Sequence, residues 1–288
     1  MNKINGKTQI LAVIGDPIAH SLSPLMHNAL IAKLNLDAVY IPINCPADNL
    51  SNLINSLREI NFSGANLTIP HKEKAISLVD KLSPIAQFMG SINTIYWEDD
   101  KLCGTTTDPY GALTNLREEG VKWENKNIAI LGNGGAARAL AFALLSDEKS
   151  PIQSLKIFGR NPQNIADLCQ DLQNANLNNQ ASLDYAPLND FNKFSEDINL
   201  IINTTPVGMA PNLDQSPIKA EDIYPDQVVY DIVYNPLQTK LLQDAKSRGA
   251  QTVTGLGMLV HQGALSFKHW FPHAEPDIKT MFDQLSQI

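Results

Sequence analysis

The sequence predicts an α/β protein built as two domains, and three observations predict it. Apolar runs of strand length alternate with helical segments as far as residue 254. The 288 residues exceed the usual size of one domain. Near the middle, residues 127–138 (NIAILGNGGAAR) read as a strand, a glycine turn and a helix start, which leaves a long upstream stretch for a separate unit.

Residues 9–14 are a first apolar strand, and Ser23-Pro24 opens a helix through about Leu34, with proline in its first turn. Residues 39–43 are a second strand, 50–58 a second helix and 64–69 a third strand, followed by a helix over 71–79. This βαβαβ arrangement makes a first domain over 1–107. Residues 109–119 are a connecting helix. The strand 128–131 and the alanine-rich helix 136–145 then open a second domain, 108–254, with further strands at 154–158, 200–203, 228–232 and 251–254. The Asn- and Gln-rich stretch 173–189 and the Pro-rich stretch 206–217 read as loops. Residues 255–288 have helical periodicity from Met258 and complete the first domain.

A net charge of −8 argues against nucleic acid as the main partner, since phosphate binding calls for a basic face. Cys45, Cys103 and Cys169 are isolated, which suggests neither zinc ligation nor a disulfide framework. No apolar run approaches the roughly 18 residues of a membrane span, and no signal-like apolar core precedes residue 9. A soluble cytoplasmic protein acting on a small molecule, without a membrane partner and as monomer or homodimer, is expected.

Gly132, Gly134 and Ala137 fall on the G-x-G-x-x-G/A spacing of a Rossmann-type dinucleotide site. The first glycine makes the turn, the second lets backbone approach a pyrophosphate, and the helix N-terminus offers N–H groups to it. After the next strand the chain reads Phe158-Gly159-Arg160-Asn161, with an arginine and no acid. An acid there would bind the ribose 2′-hydroxyl of NAD; an arginine suits the 2′-phosphate of NADP. NADP is therefore the expected cofactor, and a solvated turn arginine is the competing reading.

Upstream, residues 66–73 (NLTIPHKE) put polar groups at the C-terminal end of a strand, where open α/β sheets bind ligands. Lys72 would sit early in the following helix, where a cation opposes the dipole; a functional lysine and a solvated one are both open. His71 reads as a structural loop histidine, and no histidine has metal-ligand spacing. Ser21 and Ser23 suit either a helix cap at Ser23 or the grip on a substrate carboxylate. Asp108 suits either an N-cap or a contact to a substrate hydroxyl.

With these stretches in view, the chain resembles the shikimate dehydrogenases, NADP-dependent enzymes of aromatic amino-acid biosynthesis. The resemblance rests on GDPIAHSLSP, GANLTIPHKE, SINT with the later TTTD, LGNGGAAR, NTTPVGM, YDIVYNPLQT and GLGMLVHQGALSF, in that order along nearly the whole chain. It implies an N-terminal α/β substrate domain, a Rossmann-type NADP-binding domain and C-terminal helices returning to the first. It implies that Ser21 and Ser23 bind the shikimate carboxylate, that Thr68, Asn93, Asp108 and Gln262 bind ring hydroxyls, and that Tyr234 lines the site. Lys72 would be catalytic beside the C3 oxygen, partnered by Asp108. Backbone from Gly132 through Asn133, Gly134 and Gly135 to Ala136 would hold the pyrophosphate. Arg160, Asn161 and Asn164 would surround the 2′-phosphate, while Thr204, Thr205, Ile232 and Gly255 would flank the nicotinamide half. The implied reaction is reversible NADPH-dependent reduction of 3-dehydroshikimate to shikimate. A quinate/shikimate dehydrogenase using NAD is the alternative; it would want an acid after the second strand of the Rossmann-type domain.

Three positions depart from the family pattern. Thr106 replaces a usual asparagine beside Asp108, Asn133 fills a slot usually held by a small residue, and Asn164 stands where many members carry a second arginine. Asn133 is expected to face outward from the turn.

Overall fold

The computed structural model describes residues 4–60, 62–175, 177 and 180–285. The chain divides into two compact units: residues up to Gly111 together with those from Val260 onward, and Ala112–Leu259. The borders lie a few residues beyond 107 and 254, inside helices α4 (Asp108–Glu118) and α8 (Leu256–Trp270).

In the first unit, β1 (Gln9–Gly15) runs parallel to β2 (Ala38–Asn44) on one side and to β3 (Phe62–Leu67) on the other. Helices α1 (Ser23–Lys33) and α2 (Leu50–Leu57) make the crossovers. Beyond β3 the sheet turns antiparallel through β5 (Thr94–Glu98) and β6 (Lys101–Thr105), and β4 (Lys81–Leu82) closes the order β2–β1–β3–β5–β6–β4. Ile14, Leu50, Ile54, Phe62, Leu67 and Ile95 pack into one buried cluster, so α2 is held by its apolar face rather than by caps.

Several elements depart from the sequence expectation. The β5–β6 hairpin is unanticipated: its turn carries Asp99 and Asp100, both at positive φ (50° and 59°), a demand usually signalled by Asn-Gly or Asp-Gly. The helix expected over 71–79 is a short 3-10 stretch, Lys74–Leu78. Asp80 N donates to Leu102 O at 2.7 Å and β4 pairs with β6, so the chain is drawn into the sheet after little more than a turn.

Between β4 and β5, α3 (Pro84–Met89) has no counterpart in the expected elements; Ser83 Oγ caps it by accepting from Ala86 N. At the far end of the chain, α8 and α9 (Ile278–Leu285) return to the first unit, α9 against α1. Trp270 Nε1 donates to Ile95 O at 3.0 Å, and its indole lies where a side chain on Gly64 would be. A Cβ on Gly64 would meet Trp270 Nε1 at 2.3 Å, so only glycine permits this docking.

The second unit is a wholly parallel sheet in the order β12–β11–β10–β7–β8–β9. Its strands are β7 (Asn127–Leu131), β8 (Ser154–Gly159), β9 (Ser182–Pro187), β10 (Leu200–Asn203), β11 (Val228–Asp231) and β12 (Gln251–Val253). Helices α5 (Gly135–Leu145), α6 (Pro162–Asn174) and α7 (Lys240–Ser247) connect them. β7, β8, β10 and β11 are near-continuous apolar runs, as strands covered on both faces should be.

The stretch 173–189, expected as a loop, holds the end of α6 and all of β9; Asn176, Asn178 and Asn179 lie outside the described residues. β9 is an edge strand in which Ala186 alone is buried, so it lacks the apolar signal that marks the others. No described helix is long and apolar enough to cross a membrane.

Candidate active site

Within the first unit, the C-terminal ends of β1 and β3, the start of α4 and the middle of α8 bring the substrate-side candidates into one polar cluster. Lys72 lies just after β3 and precedes the 3-10 stretch, so it does not oppose a helix dipole as expected. Its Nζ donates to Asp108 Oδ2 at 2.7 Å. The other carboxylate oxygen accepts from Asn93 Nδ2 at 2.7 Å. Asp108 is therefore no N-cap: both oxygens are taken by side chains. Lys72 and Asp108 keep 36% and 27% of their side-chain surface exposed, enough for a reacting group to reach them.

Asn93 sits at the centre of this arrangement. Its Nδ2 also faces Thr107 Oγ1 at 3.0 Å and Gln262 Oε1 at 3.4 Å, while its Oδ1 accepts from Thr107 N at 2.9 Å. These bonds fix the amide's orientation, because Oδ1 faces donors and Nδ2 faces acceptors. Thr106 is buried but is not a partner of Asp108, so the departure at that position leaves the carboxylate's support intact. Thr68, half-buried at the end of β3, donates its N–H to Ile14 O and accepts from His71 N. His71 itself is buried with Nε2 bonded to Cys45 O at 2.8 Å, the structural role expected of it.

Ser21 and Ser23 are both partly exposed. Ser23 is not a helix cap: α1 begins at Ser23, Leu22 holds the cap position, and no side chain caps it. Instead Ser23 N faces Ser21 Oγ at 3.4 Å. Tyr40 OH donates to Asn66 Oδ1 at 2.7 Å, and Asn66 Nδ2 donates to Ser266 Oγ at 2.9 Å and Thr94 Oγ1 at 3.2 Å. Ser266 in turn meets Thr107 at 3.2 Å. Tyr40, Asn66, Thr107 and Ser266 thus form a buried polar chain beneath the candidates that sequence reasoning missed. Spacing gave no signal for it, because its hydrogen-bonded partners lie up to 200 residues apart.

His27 lies in the same interior, stacked on Tyr40 with centroids 4.4 Å apart. Burial pushes its imidazole down to about 3, so it is neutral. Among the described residues no group of three or more His, Cys, Asp or Glu is placed to hold a metal ion.

In the second unit the candidates gather at the C-terminal ends of β7, β8, β10 and β11. Gly132 has φ +113°, and a Cβ there would meet Thr204 Oγ1 at 2.6 Å. The turn therefore needs glycine for its conformation and for its neighbour. Gly134 and Gly135 face open space, and no side chain caps α5, whose free N–H groups and positive dipole end suit a pyrophosphate. Asn133 turns toward the end of β8 rather than outward: a Cβ on Gly159 would meet its Oδ1 at 3.0 Å. Asn133, Gly134, Gly135, Arg138 and Asn164 line one side of an open concavity of about 330 Å³.

Arg160 is exposed and makes no ion pair among the described residues, so its guanidinium is available to an anion. Asn161 caps α6 through Oδ1, which accepts from Gln163 N and Asn164 N; its Nδ2 points elsewhere. Thr204 Oγ1 donates to Leu131 O at 2.8 Å, and Thr205 donates through N and Oγ1 to Asn203 Oδ1. Ile232 N donates to Asn203 O, and Gly255 backs the Ile232 carbonyl so closely that a Cβ would stand 2.3 Å from it. Tyr234 is 44% exposed on the loop after β11. These residues fit a dinucleotide: a glycine-rich cradle, an uncapped helix end and, beyond β8, a cation with no ion pair among the described residues.

A family model described as "Shikimate dehydrogenase substrate binding domain" matches residues 13–95, and one described as "Shikimate 5'-dehydrogenase C-terminal domain" matches 255–285. A Methanobrevibacter smithii protein named Shikimate dehydrogenase (NADP(+)) is 40% identical over 274 residues, 95% of each chain. A shikimate dehydrogenase solved in complex with NADP+ superposes with TM-score 0.88 at 38% identity, over 99% of this chain and 97% of that one. The Listeria monocytogenes shikimate 5-dehydrogenase, solved with shikimate and NAD, gives TM-score 0.91 at 32% identity over 99% of both chains. Seen together with the Lys72–Asp108–Asn93 cluster and the Gly132 turn, these likenesses settle the relationship: the chain belongs to the shikimate dehydrogenase (NADP+) family of oxidoreductases.

Proposed function

We propose that the protein catalyses the reversible NADPH-dependent reduction of 3-dehydroshikimate to shikimate, with Lys72 and Asp108 at the reacting oxygen. The observation that carries the reading is the 2.7 Å contact between Lys72 Nζ and Asp108 Oδ2, with Asn93 on the second carboxylate oxygen. When bound, NADPH supplies the hydride. As the C3 oxygen gains negative charge, the Lys72 ammonium stabilises it and donates a proton to it. Asp108 holds the ammonium in place and accepts from a ring hydroxyl, while Asn93 fixes Asp108.

Around this pair, Ser21 and Ser23 bind the substrate carboxylate, and Thr68, Asn93 and Gln262 bind the remaining ring hydroxyls, with Tyr234 lining the site. The backbone from Gly132 to Ala136 holds the pyrophosphate. Arg160 engages the 2′-phosphate with Asn161 Nδ2 and Asn164, and Thr204, Thr205, Ile232 and Gly255 flank the nicotinamide half. The enzyme works in the cytoplasm, as a monomer or homodimer.

Oxidation of shikimate and of quinate, each with NADP+ and NAD+ and followed at the nicotinamide absorbance, tests the reading. Shikimate with NADP+ is expected to give the highest kcat/KM. No activity on shikimate would overturn the reaction, and equal kcat/KM with NAD+ would overturn the role of Arg160.

A further inference from the structure

Asp231, at the end of β11, has both a burial and a hydrogen-bond pattern that the reaction as described leaves unused. It is fully buried, with no cation among its partners. Its carboxylate accepts three bonds: Asn203 Nδ2 at 2.9 Å, Val233 N at 3.1 Å and Thr239 Oγ1 at 2.6 Å. Burying a carboxylate without a countercharge costs free energy even when it is hydrogen-bonded, and an apolar residue would fill a strand end more cheaply.

The partners show what the carboxylate does. Asn203 is its register neighbour on β10, and the Asn203 Oδ1 left free by this bond accepts from Thr205 N and Thr205 Oγ1. Thr205 Oγ1 accepts from Val207 N at 3.3 Å. One side of Asp231 therefore fixes the loop that begins at Thr204. On the other side, Val233 N and Thr239 Oγ1 fix both ends of the loop after β11, which carries Ile232 and Tyr234. Thr239 also caps α7 by accepting from Leu242 N, so its single proton is committed to Asp231. Every bond to Asp231 comes from a donor, and an amide in its place would set its NH2 against one of them.

We propose that Asp231 is a positioning residue: its carboxylate ties the Thr204–Thr205 loop to the Ile232–Tyr234 loop and so shapes the site for the nicotinamide half of the cofactor, leaving the adenosine half untouched. The inference rests on the proposed NADP-dependent function.

The test compares binding of NADP+ and of 2′,5′-ADP, which lacks the nicotinamide half, to the full-length protein by isothermal titration calorimetry. Asp231→Asn is expected to raise the Kd for NADP+ about tenfold and to leave that for 2′,5′-ADP within twofold. Thr239→Val, which removes one of the three donors, is expected to raise the NADP+ value about threefold with the same selectivity. Gln227→Leu is the control: Gln227 is equally buried at the other end of the same strand region, where its Nε2 donates to Ser195 O and Ile198 O. It is expected to lower the melting temperature and change neither Kd. If both ligands weaken equally in the Asp231 and Thr239 variants, or if neither does, the assignment is wrong. Should Asp231→Asn fail to fold, Thr239→Val decides alone. A wild-type protein that binds NADP+ but does not oxidise shikimate would instead overturn the proposed reaction.

Discussion

The two polar regions are built from opposite materials. The cluster in the first unit is made of side chains, with Lys72, Asp108, Asn93 and Gln262 holding one another. The cradle in the second unit is made of main chain and of missing side chains: Gly132 makes the turn, and Gly134 and Gly135 face open space at an uncapped helix end. Side chains supply chemistry and can be exchanged one group at a time. Backbone supplies shape, and it fails through sterics. The two regions should therefore break differently under mutation.

Lys72→Ala should have the largest effect, lowering kcat about a thousandfold, or ~4 kcal/mol, with less than threefold change in KM for shikimate. Steady-state kinetics decide it: a rise in KM at unchanged kcat would make Lys72 a binding residue.

Second in size is a stability effect of Asp231. Burial raises its carboxyl from 3.8 to about 6, outweighing the bonds from Thr239, Val233 and Asn203, which lower it. An acid raised in the folded state takes up its proton there first. Its contribution to stability is fully present below about 3.8 and is lost as pH rises through about 6. Urea unfolding should show wild type gaining on Asp231→Asn by up to about 3 kcal/mol between pH 7 and pH 4. Parallel curves would refute it.

Gly132→Ala follows, because φ +113° and the 2.6 Å approach to Thr204 forbid a methyl group without a shift of the turn. A loss of about 2 kcal/mol in unfolding free energy is expected, together with weaker NADP+ binding and unchanged shikimate affinity. Wild-type-like NADP+ binding would show that the cradle tolerates a Cβ after all.

Arg160→Ala should cost least, raising KM for NADP+ about tenfold, or ~1.4 kcal/mol. KM for NAD+ should not move. Equal loss with both cofactors would assign Arg160 to something they share, not to the 2′-phosphate.

The same contrast explains what could be read in advance. The glycine turn was legible because backbone demands leave residue types behind: only glycine satisfies Gly132, and the strand before it is apolar throughout. Lys72 and Asp108 stood out locally only as open alternatives, and family likeness alone joined them with Asn93 and Gln262, since the four are scattered over 190 positions and no local rule links them. Asp231 and Tyr40 escaped notice for the same reason: Asn203 lies 28 residues from Asp231, and Asn66 26 residues from Tyr40. Edge strand β9 and the Asp99-Asp100 turn were missed because each meets its structural need with residues common elsewhere.

The return of α8 and α9 to the first unit also sets an order of events during synthesis. Ala112–Leu259 is one uninterrupted stretch, so the second unit can close on itself as soon as it has left the ribosome. The first unit waits for its last residues, because Trp270 must seat against Gly64 and Gln262 and Ser266 must reach Asn93 and Asn66. Until then its sheet has the strands but not the covering helix. The nascent chain completes the strands and helices around Gly132 before it completes the cluster of Lys72, Asn93, Asp108 and Gln262.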